Sequence, residues 1–171
     1  YYLYEDCLLN GAWSNDSKEY SDFLVKYQLW HAHPVEYVKR VSVAMATFNG
    51  EKYITDQIAS ILQNLEENDE LIISDDGSTD HTIKKIKAFK DKRIVLLNGP
   101  HKGIKQNFAN AISHCSGKYI FLADQDDFWK PNKVKTVLKA FEKYDALLVQ
   151  HDCNLIQVET GKEILNSFFE F

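Results

Sequence analysis

The chain has 171 residues, of which 44% are hydrophobic and 26% charged, with a formal charge of −5. That length and apolar fraction fit one globular domain with at most a small appendage, and they exclude wholesale disorder and collagen-like repeats. The acidic balance argues against nucleic acid as a partner, and no run approaches the roughly 18 apolar residues that a membrane-spanning helix needs.

Residues 1–40 read as an extension distinct from a domain over 41–171. Tyr20, Phe23, Leu24, Tyr27 and Trp30 recur at helical spacing and predict an amphipathic helix starting near Ser17, packed on a neighbouring domain or partner. Its polar face lacks the Lys/Arg excess of a membrane-surface helix. His31 and His33 have no carboxylate or Cys companions nearby, so they read as a loop pair before Pro34 and not as metal ligands. From Val41 the pattern becomes regular. Val41–Ala46 is an apolar strand, and Glu51–Leu65 a helix with Ile54, Ile58, Ile61, Leu62 and Leu65 on one face. Glu70–Ser74 is the second strand, Thr79–Phe89 the second helix and Arg93–Leu97 the third strand, which stops at Asn98-Gly99-Pro100. Ile104–Cys115 is the third helix and Lys118–Ala123 the fourth strand. A fourth helix follows with Pro131 at its first position. Ala146–Val149 reads as a fifth strand, and Leu155–Ile164, with Thr160-Gly161 in the middle, as a hairpin. Apolar strands alternating with amphipathic helices predict an α/β fold with a mostly parallel sheet flanked by helices.

The cysteines Cys7, Cys115 and Cys153 are odd in number and far apart, which points to a reducing compartment and not to a disulfide framework. The chain opens at Tyr1 without an initiator Met or a basic leader, and reads as a piece of a longer protein.

In an open parallel sheet, ligands bind beyond the carboxyl ends of the strands. The segments there are Thr47–Glu51, Asp75–Asp80, Asn98–Gly103 and Asp124–Asp127. Acidic residues therefore gather at one sheet end from two strands. Clustered carboxylates repel one another unless a cation or a donor compensates, and a hard divalent metal is the natural compensation. Asp124 and Asp126, two apart at a strand end, are expected on one side, able to hold Mg²⁺ or Mn²⁺ with positions left for phosphate oxygens. The competing reading makes Asp126 or Asp127 the N-cap of the fourth helix. Asp75 or Asp76, with an aromatic such as Phe48 nearby, can accept a hydrogen bond from a base N–H such as N3–H of uracil or thymine. The alternative is turn chemistry in Asp-Gly-Ser, with Ser78 or Thr79 capping the second helix. No dinucleotide fingerprint, P-loop or nucleophile elbow is present. Lys84, Lys85, Lys87, Lys90, Lys92 and Arg93 read as a solvated face, with contact to anionic lipid as the sharper alternative.

The segments VSVAMATFNGEKYITDQIASIL, LIISDDGSTDHT, GIKQNF and KYIFLADQDDFWKPNKV, in that order, resemble family 2 glycosyltransferases of the GT-A (Rossmann-like) fold, in particular the bacterial rhamnosyltransferase-like group. The resemblance covers Val41 to Phe171 and implies roles at the matching positions. Thr47, Phe48 and Asn49 line the nucleoside pocket, with Glu51 beside it. Asp76 binds the pyrimidine N3–H and Asp75 supports its turn. Gly103, Lys105 and Asn107 face the donor, although Asn107-Phe108 stands where many relatives carry Arg. Asp124-Gln125-Asp126 is the DXD motif, with Asp126 the main metal ligand and Asp124 near ribose or metal. The implied reaction is metal-dependent, inverting transfer from a UDP- or dTDP-sugar to a hydroxyl of a growing cell-surface polysaccharide or a lipid-linked acceptor. The implied setting is cytoplasmic, with peripheral association at the inner face of the plasma membrane. The catalytic base is expected beyond Phe171, and Asp152 is a weak candidate for it. The alternative is a truncated or degenerate module that holds the nucleotide-sugar without transfer. Trp129, next to the motif, either packs beneath the site or shapes the sugar pocket.

Overall fold

The computed structural model describes residues 40–157, 160–165 and 167. The extension over 1–39, with the expected aromatic helix and its histidines, lies outside them. The elements run β1 (Val41–Thr47), α1 (Ile54–Leu62), β2 (Glu70–Asp75), α2 (Thr82–Ala88), β3 (Ile94–Asn98), α3 (Ile104–Ser113), β4 (Tyr119–Asp124), α4 (Lys133–Tyr144), β5 (Leu155–Ile156) and β6 (Glu163–Leu165). The first four strands form one sheet in the order β3-β2-β1-β4, every pair parallel. β5 and β6 form the expected antiparallel hairpin.

Alternation along the strands builds two layers. On one face Val43, Met45, Leu71, Ile73, Phe121 and Ala123 meet Ile54, Ile58 and Ile61 of α1 and Val134, Val137 and Leu138 of α4. On the other, Ala44 and Ile72 meet Ala111 of α3, the small side chains letting that helix lie close. β1 is buried along its whole length, as a central parallel strand covered on both faces should be. The sheet's amino end is tied by polar contacts. Glu70 Oε1 accepts from Ser42 Oγ at 2.6 Å and from the Ser116 N–H at 2.7 Å. Gly117 sits so close that a Cβ there would lie 2.5 Å from the Ser42 nitrogen.

Two expectations are corrected. Ala146–Val149 is not a strand. Asp145 ends α4 in the left-handed region at φ 46°, and Leu147 and Leu148 emerge 62% and 50% exposed. Among the described residues nothing pairs with the outer edge of β4, and its Ile120 and Leu122 stay exposed. Pro131 is not the first residue of α4, because Asn132 takes the N-cap position in the left-handed region at φ 66° and the helix starts at Lys133.

Candidate functional site

A cleft of about 740 Å³ opens beyond the carboxyl ends of the strands. Ala46, Thr47 and Phe48 line it from β1, Asp76 from β2, and His101, Gly103, Ile104 and Asn107 from the β3–α3 connection. Asp124, Gln125 and Asp126 line it from β4.

Gln125 joins the first and fourth of these loops. Its Oε1 accepts from Thr47 Oγ1 at 2.7 Å and from the Phe48 N–H at 3.0 Å, and its Nε2 donates to the Phe48 carbonyl at 3.1 Å. Gly50 makes room for this link, since a Cβ there would fall 2.3 Å from Gln125 Oε1. With its backbone held, Phe48 is 54% exposed at the cleft. Asn49, expected to line the pocket, is not in the cleft lining, and Glu51, expected beside the pocket, is outside that lining too. Asn49, at φ 49°, accepts from the Thr79 N–H on its Oδ1 at 2.8 Å and donates its own N–H to Ser78 Oγ. Glu51 precedes α1, and its carboxylate turns to the His81 backbone N–H at 2.7 Å, which together with the His81 ring holds it below the usual carboxylate range. Both residues clamp the first loop to the start of α2.

Asp75 is buried and spent on its own turn. Its Oδ1 accepts from the Gly77 and Ser78 N–H groups and its Oδ2 from Ser78 Oγ at 2.5 Å. It therefore does not reach the cleft. His81 takes the N-cap position of α2 without a side-chain cap, so neither Ser78 nor Thr79 caps it; Asp80, one residue earlier, accepts from the Thr82 N–H and hydroxyl. Asp76 has a divided carboxylate. Oδ2 accepts from the Gly103 N–H at 2.8 Å, while Oδ1 is buried without a partner. An unsatisfied buried carboxylate oxygen in a cleft wall is costly unless a ligand donates to it. Asn107, 2% exposed in the first turn of α3, donates to the carbonyls of Thr47 at 3.2 Å and Ser74 at 2.8 Å. It holds the ends of β1 and β2 together and also lines the cleft. Lys105 is exposed and outside the cleft lining.

Asp124 ends β4 and Asp126 sits in the turn after it, so the alternation expected to align them does not extend to Asp126; the turn brings both to the cleft instead. Partial burial and then the charges of Asp127 and Asp126 push the Asp124 carboxyl above its usual range. Asp127 is raised in the same way, by burial and by Asp126, against the opposing charges of Lys133 and His151. Asp127 does not cap α4, where Asn132 holds that position. Concentrated negative charge of this kind fits a divalent cation. Among the described residues no group of three or more His, Cys, Asp or Glu side chains forms a complete cage. The fit is therefore to a metal held by one or two carboxylates with ligand oxygens completing its shell. Trp129 resolves to packing: it is 2% exposed against Phe121, with Lys133 Nζ 4.1 Å from its ring centroid.

Asp152 is outside the cleft lining, accepting from the Cys153 N–H and from Ser167 Oγ. The basic cluster is partly structural. Lys85 donates to the Glu51 carbonyl, Lys92 pairs with Glu67, and Arg93 pairs with Asp91 while donating to the carbonyls of Leu62 and Leu65. Sequence reasoning missed His101 and Ile104. The positive φ of His101, 56°, is not written in a loop sequence, and its ring is placed by a contact with Gly77 from another strand end.

A family model described as glycosyl transferase family 2 matches residues 42–170. An uncharacterized glycosyltransferase of Haemophilus influenzae is 32% identical over 135 residues, 71% of this chain and 42% of the relative. The Escherichia coli UDP-Glc:alpha-D-GlcNAc-diphosphoundecaprenol beta-1,3-glucosyltransferase WfgD is 38% identical over 96 residues, 56% of this chain and 38% of its own length. The chain thus spans about two fifths of the length of these curated relatives. Among solved structures, Staphylococcus aureus TarS 1–349 in complex with UDP aligns with a TM-score of 0.54 at 23% identity, over 68% of this chain and 34% of that one. The Pyrobaculum calidifontis mannosyltransferase PcManGT, in complex with GDP-Man and Mn²⁺, aligns with a TM-score of 0.56 at 20% identity, over 70% of this chain and 39% of that one.

Proposed function

We propose, from the premise that this chain belongs to glycosyl transferase family 2 and has the GT-A fold, that its cleft holds the nucleoside diphosphate of a UDP- or dTDP-sugar. The observation that carries this reading is the buried, unpartnered Oδ1 of Asp76 in the same cleft as the Asp124–Asp126 pair. The cleft holds an acceptor that wants an N–H donor and a carboxylate pair that wants a cation, and a pyrimidine nucleoside diphosphate with its metal supplies both.

Uracil or thymine donates its N3–H to Asp76 Oδ1, and the Phe48 ring gives the base an apolar surface. Asp126 and Asp124 would hold Mg²⁺ or Mn²⁺, which when bound supplies charge neutralisation to the departing diphosphate. Gln125, Asn107 and Asp75 fix the loops that present these groups, so that little reorganisation is needed on binding. The reaction is inverting transfer to a hydroxyl of a cell-surface saccharide or lipid-linked acceptor. A general base deprotonates that hydroxyl as it attacks the anomeric carbon. The name of WfgD, a UDP-Glc enzyme with a diphosphoundecaprenol acceptor, supports this donor and acceptor class, and the proposal includes a cytoplasmic setting at the inner membrane face. No helix among the described residues is long and apolar enough to cross a membrane.

Among the described residues the carboxylates lining the cleft are Asp76, Asp124 and Asp126, all assigned to donor or metal. That favours, as the second reading, a module that binds the donor without transferring it, and donor hydrolysis or transfer assays separate the two. The binding claim is tested with Asp126→Ala. Its affinity for UDP in Mn²⁺ should fall at least about tenfold, to the metal-free level, with thermal unfolding unchanged. An unaltered metal dependence would refute the assignment.

A further inference from the structure

Resting on that reading of the cleft, we infer that His101 is a base-contacting residue that sets how tightly, and which, nucleobase is held. The loop that carries it is fastened at two points: the Gly99 N–H donates to the Asp75 carbonyl at 2.7 Å and the Gly103 N–H to Asp76 Oδ2 at 2.8 Å. Between these anchors His101 adopts φ 56°, an uncommon conformation for a residue with a side chain, maintained where the surroundings over-determine it. Its ring rests against Gly77, the residue after Asp76, at φ 96°. A Cβ on Gly77 would lie 2.4 Å from both Cε1 and Nδ1 of the imidazole. Gly77 therefore serves two ends, the turn and the seat for this ring.

The ring is exposed and lines the same cleft as the unpartnered Asp76 Oδ1 and the exposed Phe48 ring. Two exposed rings and an acceptor oxygen in one cleft make a slot for a flat heterocycle with an N–H donor. Phe48 comes from β1 and His101 from the β3 loop, so the slot takes one ring from each of two loops. Beyond its seat on Gly77, the ring is left lining the cleft, where a bound base can meet it. Nor is the His101 ring among the groups that hold the loop, since both anchors are backbone N–H groups at other residues.

The test compares wild type, His101→Ala and His101→Phe by calorimetric titration with UDP, GDP and pyrophosphate in Mn²⁺ at one pH. Loss of a base-stacking ring predicts about a tenfold weaker UDP interaction in His101→Ala. Pyrophosphate affinity, which needs only the carboxylate pair, should stay within about twofold. His101→Phe should retain UDP affinity to within about threefold, and His101→Ala should raise the GDP-to-UDP affinity ratio because the wall has receded. A parallel loss of UDP and pyrophosphate affinity in His101→Ala would show a merely structural role and overturn the inference. Unchanged UDP affinity in His101→Ala would overturn it too, while leaving the proposed nucleotide site intact. Failure of the wild type to bind UDP at all would remove both.

Discussion

Replacing Asp76 by Asn exchanges one carboxylate oxygen for an amide NH₂ and should invert the cleft's preference between two pyrimidines. In the wild type Oδ2 accepts the Gly103 N–H and Oδ1 waits, buried and unpartnered. In Asp76→Asn the Gly103 N–H, fixed by its backbone, selects the amide oxygen, so the amide NH₂ takes the place of Oδ1. Uracil N3–H then meets a donor instead of an acceptor. Losing a hydrogen bond to a charged acceptor costs about 1.5–3 kcal/mol, and the mismatched donor adds to it. UDP affinity should therefore fall by at least about 12- to 140-fold, at 1.4 kcal/mol per factor of ten. Cytosine carries an unprotonated N3 at that edge. The wild-type carboxylate repels it and the variant amide can donate to it, so CDP should bind the variant better than the wild type. Calorimetric titration of both proteins with UDP and CDP in Mn²⁺ reads the ratio directly, with thermal unfolding as the control for the retained Gly103 contact. An equal loss of UDP and CDP affinity would mean that Asp76 serves only to fasten the loop, and the account of base recognition would be wrong.

Asn107→Ala removes the donor to two strand-end carbonyls, so urea unfolding should show a loss of about 1–3 kcal/mol; a change within experimental error would refute the tie between β1 and β2. The Arg93 side chain and backbone hold Asp91 down to about 2. A carboxyl depressed in the folded state contributes stability above its unfolded pKa of about 3.9, lost as pH falls toward 2. The full shift would amount to about 2.6 kcal/mol. Because the Asp91 side chain is 24% exposed, screening reduces this to about 1 kcal/mol. Asp91→Asn should flatten the stability profile between pH 4 and 2 by that amount, and an identical acid dependence in the variant would contradict the pairing.

The fold was legible where hydrophobic period and local context agreed. The strands at Val41, Glu70, Arg93 and Lys118 and the four helices between and after them fall within a few residues of their expected places, because each carries a continuous apolar run or a helical stripe. Ala146–Val149 has the same local character, but an apolar run becomes a strand only with a partner edge, and Asp145 turns the chain away. The acidic cleft was legible because parallel strands place their following loops together. Which side chains in those loops face inward was not. Asn49 and Glu51 have the right chemistry for a ligand, yet each finds backbone N–H donors nearer to hand and is spent on them, whereas Asp75 supports its turn as the resemblance implied. His101 went unread for the opposite reason. Its place depends on a left-handed backbone and on Gly77, more than twenty residues earlier, neither visible as a period or a spacing.

Isothermal titration of the folded chain with UDP and with dTDP, each with and without Mn²⁺, tests the central claim most directly. The account predicts one-to-one binding of at least one of the two nucleotides, strengthened at least about tenfold by the metal. Absence of heat for both nucleotides in Mn²⁺, or affinities indifferent to the metal, would contradict it.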